Sequence, residues 1–129
     1  MPAERLLLDT NALIGLGMGE PALVARVQRA AWVAIPWIVA VEFQVGADSA
    51  ALQWLVQATA FIEVIDTPYT NTALTARIVG IRRGGHCKLP DAIVLAVAQT
   101  CGAVLLTRDK QLLAAAAQVG AEAANWRDD

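Results

Sequence analysis

Four acidic residues lie within or beside apolar segments of this sequence, and they are the residues most able to do chemistry. Asp9 follows the apolar residues 6–8, Glu42 follows residues 38–41, Asp91 precedes residues 92–95, and Asp109 follows a run that begins at Val104. A carboxylate in such a position is unfavourable unless a cation or hydrogen-bond donors compensate its charge. Because one short chain contains four of them, the first hypothesis is that they share a compensating divalent cation.

Side chains that could offer nitrogen or sulfur ligands to a metal are few. His86 is the only histidine, and the spacing of Cys87 and Cys101 matches neither a CxxC redox motif nor a zinc-ligand pattern. We therefore expect free thiols and a metal site made of oxygen ligands. Such a site favours Mg²⁺ or Mn²⁺ over Zn²⁺.

Length and composition indicate one globular domain over residues 1–129. The 57% of hydrophobic and 17% of charged residues exclude disorder and favour a large core or an apolar surface that meets another subunit. Trp37 and Trp54, in the apolar middle region, are candidates for a homodimer face. Pro36 interrupts the most apolar window, so no membrane span is expected. The first five residues lack a signal-peptide pattern, which predicts a cytoplasmic protein.

Basic residues are concentrated in one part of the chain although the net charge is −2. Six of the 10 Lys and Arg residues lie between positions 77 and 110: Arg77, Arg82, Arg83, Lys88, Arg108 and Lys110. An acidic protein can therefore present a local basic patch.

The hydrophobic pattern alternates between strands and helices. It predicts strands over 5–8, 33–35, 61–65, 103–106 and 121–124, and helices over 21–31, from Pro36 onward, and over 48–58, 67–83, 89–99 and 109–119. Residues 9–11 are predicted to form the turn that ends the first strand. This alternation predicts an α/β fold, a three-layer α/β/α sandwich whose central, mainly parallel sheet has four or five short strands.

In a parallel sheet, ligands bind beyond the carboxyl ends of the strands. Asp9 and Asp109 follow predicted strands, while Asp91 begins a predicted helix and Glu42 lies within one. All four side chains are therefore expected to reach one pocket.

Four short motifs occur in a recognisable order along nearly the whole chain: Leu7-Leu8-Asp9-Thr10-Asn11, Val41-Glu42, Leu89-Pro90-Asp91-Ala92 and Leu106-Thr107-Arg108-Asp109. In order and in overall length the chain resembles the PIN-domain ribonucleases, particularly the small VapC-type toxins of prokaryotic toxin–antitoxin pairs. It departs from many members after the late Asp, where they have an aromatic residue and this chain has residues 110–113, Lys-Gln-Leu-Leu. That difference loosens the subgroup assignment.

The resemblance implies a PIN-like fold and a metal-dependent endoribonuclease that acts as a toxin. Position by position, the family's acidic quartet corresponds to Asp9, Glu42, Asp91 and Asp109, and its accompanying polar positions to Asn11 and Thr107. Asp9 and Asp91 are then expected to bind Mg²⁺ or Mn²⁺ directly, and Glu42 and Asp109 directly or through water. The resemblance also implies an RNA substrate, a homodimer and a cognate antitoxin that covers the active site.

The basic segment 82–88 runs directly into Asp91. Arg82, Arg83 and Lys88, together with Arg108, are candidates for contacts with RNA phosphates, which would position RNA without reading its sequence. The alternative is that this segment is a solvated basic loop.

Each acid also has a purely structural explanation. Asp9 could form an Asx turn, Asp91 could be a favourable charge at a helix N-terminus, and Asp109 could be an N-cap. Glu42 could form a salt bridge with an arginine.

Two other functions compete with the nuclease hypothesis. One is a receiver-like phosphoacceptor module that would use Asp66 with Asp9 and Mg²⁺. Receivers normally carry paired acids after the first strand and a lysine after the last, whereas this chain has only Asp9 there and no lysine after Lys110. The other is a non-catalytic binding domain whose acids only cap helices and pair with arginines.

Overall fold

The computed structural model describes residues 3–127 and contains one parallel sheet in that range. Its strands are β1 (Arg5–Leu8), β2 (Trp32–Pro36), β3 (Glu63–Ile65), β4 (Val104–Leu106) and β5 (Ala123–Ala124). They lie in the order β3-β2-β1-β4-β5, and every neighbouring pair is parallel. The predicted five-stranded α/β architecture is confirmed.

Seven α-helices connect and cover these strands within the described residues. They are α1 (Thr10–Gly17), α2 (Pro21–Arg29), α3 (Trp37–Val45), α4 (Ser49–Ala58), α5 (Thr72–Arg83), α6 (Leu89–Cys101) and α7 (Lys110–Val119). Leu6, Leu7 and Leu8 of β1 are all fully buried. Because successive side chains of a strand point to opposite faces, both faces of the sheet must be covered by helices. This is the predicted three-layer arrangement.

The predicted turn at residues 9–11 is wrong, because helix α1 begins at Thr10. Asp, Thr and Asn favour turns locally, so these residues concealed the start of a helix. Packing decides in favour of the helix. Leu13 is fully buried, and a Cβ added at Gly17 would lie 3.2 Å from the Trp54 ring of α4, which shows how closely α1 and α4 approach each other.

The helices predicted from residue 67 and from Pro36 both begin later than predicted. The helix predicted from residue 67 begins at Thr72, where the Asn71 side chain caps it by accepting a hydrogen bond of 3.2 Å from the Leu74 N–H. Pro36 is the last residue of β2 and the N-cap of α3, rather than the first helical residue. Its backbone is extended, so the helix can begin only at Trp37.

The C-terminal segment is held against the start of α2. The Trp126 side chain is buried, and its indole N–H donates a hydrogen bond of 3.0 Å to Glu20 Oε1. Arg127 Nε donates to the same oxygen at 2.7 Å. Trp126 therefore belongs to the core.

No helix among residues 3–127 is long and apolar enough to cross a membrane. The absence of a signal peptide and the extent of the domain over 1–129 stay predictions, and they involve residues 1, 2, 128 and 129, which lie outside the described residues.

Candidate metal centre

The carboxyl ends of β1 and β4 place Asp9 beside Thr107. The register pairs Leu8 with Leu106, so the next residue of each strand lies at the same edge of the sheet. The Asp9 N–H donates to the Leu106 carbonyl at 3.1 Å, which continues the strand pairing past the end of β1. Residues 98 positions apart in the chain therefore become neighbours.

Thr107 is fully buried, and its hydroxyl is the centre of a polar network. Its Oγ1 donates to Asp9 Oδ2 at 2.9 Å and accepts from Asn11 Nδ2 and from the Asp109 N–H, both at 3.1 Å. One hydroxyl thus uses its single donor and both acceptor positions. Thr107 ties the first and the last of the four acids together.

Asn11 supports the same carboxylate from the first turn of α1. Its Nδ2 donates to Asp9 Oδ2 at 3.2 Å, and its Oδ1 accepts from the Arg108 N–H at 3.1 Å. The Asp9 side chain makes no capping hydrogen bond to α1, although Asp9 is the N-cap residue. The carboxylate is therefore oriented towards the network rather than used to cap the helix.

Asp109 is the N-cap of α7, as its structural explanation required. Its Oδ1 accepts from the N–H groups of Gln111 and Leu112 at 2.9 and 3.2 Å. Both hydrogen bonds fall on the same oxygen, which leaves Oδ2 outside the cap. Capping and metal binding are therefore compatible in this residue.

Asp91 and Glu42 approach Asp9 from two other helices. Asp91 lies in the first turn of α6, after Pro90, and Glu42 lies in the second turn of α3. Burial, and then the charges of Asp9 and Asp91, raise the pKa of Glu42. The neighbours that change the pKa of Glu42 are thus carboxylates and the Thr10 hydroxyl. The alternative that Glu42 forms a salt bridge would require an arginine among them.

The carboxylates repel one another across the site. Burial is the main cause that raises the pKa of Asp9, and the charge of Asp109 adds to it, while the Thr10 backbone N–H and the Thr107 hydroxyl lower it. Burial also raises the pKa of Asp91, followed by the charges of Asp9 and Asp109, while Lys88 opposes the shift. The structure therefore brings the four predicted acids into one electrostatic neighbourhood.

The acids differ in exposure. Asp9 is buried, with 9% of its surface exposed, whereas Asp91 is partly buried and Glu42 and Asp109 are exposed. The four acids thus range from buried, at the end of β1, to exposed, on α3 and at the start of α7.

Among residues 3–127, no group of three or more His, Cys, Asp or Glu side chains is arranged so that it could hold a metal ion by itself. The donor set suits a hard divalent cation that keeps part of its water shell, because Mg²⁺ is usually held by one or two carboxylates and several waters. A soft or tetrahedral metal would find too few ligands here. The residues present therefore fit Mg²⁺ or Mn²⁺.

A basic cleft of about 500 Å³ adjoins Asp91. Arg82, Lys88 and His86 line it together with Asp91. His86 is exposed, as predicted for a loop residue, and its Nδ1 lies 2.7 Å from Gln118 Oε1 of α7. Two of the predicted phosphate-binding residues, Arg82 and Lys88, thus lie next to the acidic site.

The other two predicted phosphate-binding residues, Arg83 and Arg108, do not line this cleft. Arg83 is exposed at the end of α5 and does not line this cleft. Arg108 is also exposed, and its charge helps to lower the pKa of Glu20, after the larger effects of Arg127 and Trp126. Arg108 therefore lies towards the C-terminal segment.

Sequence reasoning missed two features of the site. Thr10 Oγ1 is a buried polar atom without a hydrogen-bond partner in the described residues. An apolar groove of about 350 Å³ between α1, α3 and α4 reaches Glu42, with Ile14, Phe43 and Trp54 among its lining residues. The only sequence signal for either feature was that Thr10 directly follows Asp9 and that Phe43 directly follows Glu42.

Asp66, the phosphoacceptor of the receiver-like alternative, is exposed after β3 and accepts a hydrogen bond of 2.8 Å from the Thr67 N–H. Strand β3 is at the edge of the sheet, and β2 separates it from β1. Asp66 therefore does not follow a strand adjacent to the one that precedes Asp9.

Residues 6–118 match the family model described as the PIN domain. A toxin–antitoxin complex from Klebsiella pneumoniae contains a chain that is 33% identical, with 84% of this chain and 90% of that chain covered and a TM-score of 0.69. VapBC-1 from nontypeable Haemophilus influenzae has the same fold, at 18% identity, 95% and 98% coverage and a TM-score of 0.74. So has FitAcB from Neisseria gonorrhoeae, at 20% identity, 96% and 99% coverage and a TM-score of 0.66. The curated protein sequences contain no match.

Proposed function

Since the chain belongs to the PIN-domain family of nucleases, we propose that it is a Mg²⁺- or Mn²⁺-dependent endoribonuclease and the toxin of a toxin–antitoxin pair. The observation that carries this proposal is the meeting of Asp9, Glu42, Asp91 and Asp109 at one edge of the sheet, where their charges act on one another. Carboxylates that raise one another's pKa values form a site to which a divalent cation binds favourably.

Asp9 and Asp91 are proposed as direct ligands, and Glu42 and Asp109 as ligands that act directly or through water. When bound, the cation supplies a nucleophilic water and neutralises negative charge on the phosphate. Thr107 and Asn11 orient Asp9 by donating to its Oδ2. Groups that hold a ligand in this way affect metal affinity without touching the metal.

RNA is proposed to enter along the basic cleft. Arg82 and Lys88 lie beside Asp91 and can hold phosphates next to the scissile bond. Arg83 and Arg108 are exposed and can contact a longer strand at positions farther from the acids. An RNA substrate also agrees with the expected cytoplasmic location.

A cognate antitoxin and a homodimer are part of the proposal. The relative from Klebsiella pneumoniae is a toxin–antitoxin complex. In this chain the apolar groove between α1, α3 and α4 opens beside Glu42, so a protein segment bound there would also cover the acids. Trp37 of α3, with 52% of its surface exposed, remains the candidate for the homodimer face, whereas Trp54 lines the groove.

The test is RNA cleavage by purified, antitoxin-free protein in the presence of Mg²⁺ or Mn²⁺. Asp9→Asn and Asp91→Asn should each lower the rate by at least about 100-fold, because each removes a charged metal ligand. Asp66→Asn is the matched control, since Asp66 is an exposed acid outside the site, and it should cleave at the wild-type rate.

Equal cleavage by the wild type and both site variants would contradict the proposal. Calorimetry provides a second measurement, in which the wild type should bind Mn²⁺ and Asp9→Asn should bind it more weakly. A wild type that binds no divalent ion at neutral pH would favour the non-catalytic binding domain instead.

A further inference from the structure

The Thr10 hydroxyl is chemically unusual in this structure. Among the described residues, its Oγ1 is the buried side-chain polar atom that has no hydrogen-bond partner. A buried hydroxyl without a partner is unfavourable, and native proteins rarely retain one without a reason. Thr10 directly follows Asp9 and begins α1, so the reason is to be sought among the acids around it.

Thr10 lies between two of the acids. Helix α1 packs against α3, which carries Glu42. The Thr10 N–H acts on the Asp9 carboxylate and the Thr10 hydroxyl on the Glu42 carboxylate, and each lowers the pKa of the acid that it faces. The hydroxyl thus lies close enough to Glu42 to act on its carboxylate, although the two groups are not hydrogen bonded.

The second threonine of the site provides a contrast. The Thr107 hydroxyl is fully used by Asp9, Asn11 and the Asp109 N–H, so its role is already complete in the metal-free protein. The Thr10 hydroxyl has its donor available. A threonine retained only for packing would gain nothing from the hydroxyl, because valine has nearly the same shape without the buried polar atom.

We propose that Thr10 is a positioning residue, whose hydroxyl donates a hydrogen bond to the Glu42 carboxylate when that carboxylate turns towards Asp9 and Asp91 to bind a divalent ion. This inference rests on the proposed metal-dependent function. It makes Thr10 the partner of Glu42, as Thr107 is the partner of Asp9. The two threonines hold acids that approach the site from different helices and strands.

The experiment measures Mn²⁺ affinity by calorimetry, and thermal unfolding with and without Mn²⁺, on antitoxin-free wild type, Thr10→Val and Thr10→Ser. Loss of the hydroxyl should weaken Mn²⁺ binding by about tenfold, the lower end of the effect seen when a group that orients a ligand is removed. The melting temperature of metal-free Thr10→Val should equal or exceed that of the wild type, because a buried hydroxyl without a partner has been removed. Thr10→Ser should restore the affinity.

A double variant separates positioning from general damage. If the hydroxyl acts through Glu42, Thr10→Val should weaken Mn²⁺ binding in the wild type but have no further effect in a Glu42→Gln background. Wild-type affinity in Thr10→Val, or a lower melting temperature of that variant without metal, would overturn the positioning role alone. A wild type that binds no Mn²⁺ would overturn the proposed function as well.

Discussion

At the amino end of the sheet charged side chains are paired with opposite charges or aromatic rings, whereas at the carboxyl end like charges lie together. At the amino ends of β1 and β2, Arg26 pairs with Glu4 through two contacts of 3.1 Å, and the Arg5 guanidinium lies 4.2 Å from the centroid of the Trp32 ring. Arg5 also donates to the Cys101 carbonyl. At the carboxyl ends, carboxylates face one another and raise one another's pKa values. The amino end is stabilised by its own residues, whereas the carboxyl end contains like charges that are unfavourable together.

The like charges at the carboxyl end are unfavourable for folding, and the proposed metal site would account for them. Proteins commonly retain unfavourable charge at active sites because the same charge binds the ligand. The cost of burying a charge is greatest for Asp9, whose buried carboxylate accepts hydrogen bonds from Thr107 and Asn11.

Thr107→Val should lower both activity and stability more than the other substitutions below. It removes the hydroxyl shared by Asp9, Asn11 and Asp109, so metal-dependent cleavage should fall by about 10- to 100-fold. The free energy of unfolding should fall by about 1–3 kcal/mol, because buried donors and acceptors lose their partner. RNA cleavage assays and urea unfolding measure the two effects.

The control for this substitution is Thr59→Val, at an exposed site where the hydroxyl donates only to the Val56 carbonyl. It should leave cleavage unchanged. If Thr107→Val cleaved RNA as fast as this control, the hydroxyl would have no part in organising the site.

Acidification should relieve the repulsion. The raised pKa values of Asp9, Glu42 and Asp91 mean that the folded state takes up protons more readily than the unfolded state. Their destabilising effect is complete above these raised values. It is lost as pH falls through them towards the ordinary values of 3.8 for Asp and 4.5 for Glu.

Comparison with Asp9→Asn isolates this effect from acids such as Glu20, whose pKa is lowered and which acts in the opposite direction. Without metal, Asp9→Asn should be more stable than the wild type at about pH 7, and its advantage should shrink as pH falls to about 4. Thermal unfolding across this range measures the difference. An advantage that stayed constant with pH would show that the Asp9 charge is not the cause.

The smallest effect is expected at the amino end. Glu4→Gln breaks the ion pair with Arg26, but 44% of the Glu4 side chain is exposed, so the loss should be below about 1 kcal/mol. RNA cleavage should not change, because the pair lies at the opposite end of the sheet from Asp9. A loss of cleavage without a loss of stability would mean that the two ends are coupled.

Sequence patterns were most reliable where one strand or helix decides the outcome. The apolar run of β1 predicted its bounds, and the alternation of strands and helices predicted the parallel sheet. They were least reliable where distant packing decides. Residues 9–11 favour a turn by themselves, but burial of Leu13 and the contact of Gly17 with Trp54 make them the start of α1.

The local sequence pattern also could not predict what surrounds the site residues. Glu42 lies on a helix of mostly apolar residues, yet it is exposed at the edge of a groove. The basic run predicted Arg82 and Lys88 beside Asp91, but nothing local indicated that Arg108 lies towards Glu20. Such placements depend on which helices pack together, and that involves residues far apart in the chain.

The sequence by itself determined which side chains could carry the chemistry and that Asp9 and Asp109 would meet, because parallel strands end at the same edge of a sheet. Only the tertiary structure decided how they are held. The Thr107 hydroxyl reaches Asp9 across 98 positions of chain, and the Thr10 hydroxyl remains without a hydrogen bond although Asp9 is its neighbour in sequence. Hydrogen bonds depend on distances of about 3 Å and on direction. Those distances and directions are set by the packing of the whole domain.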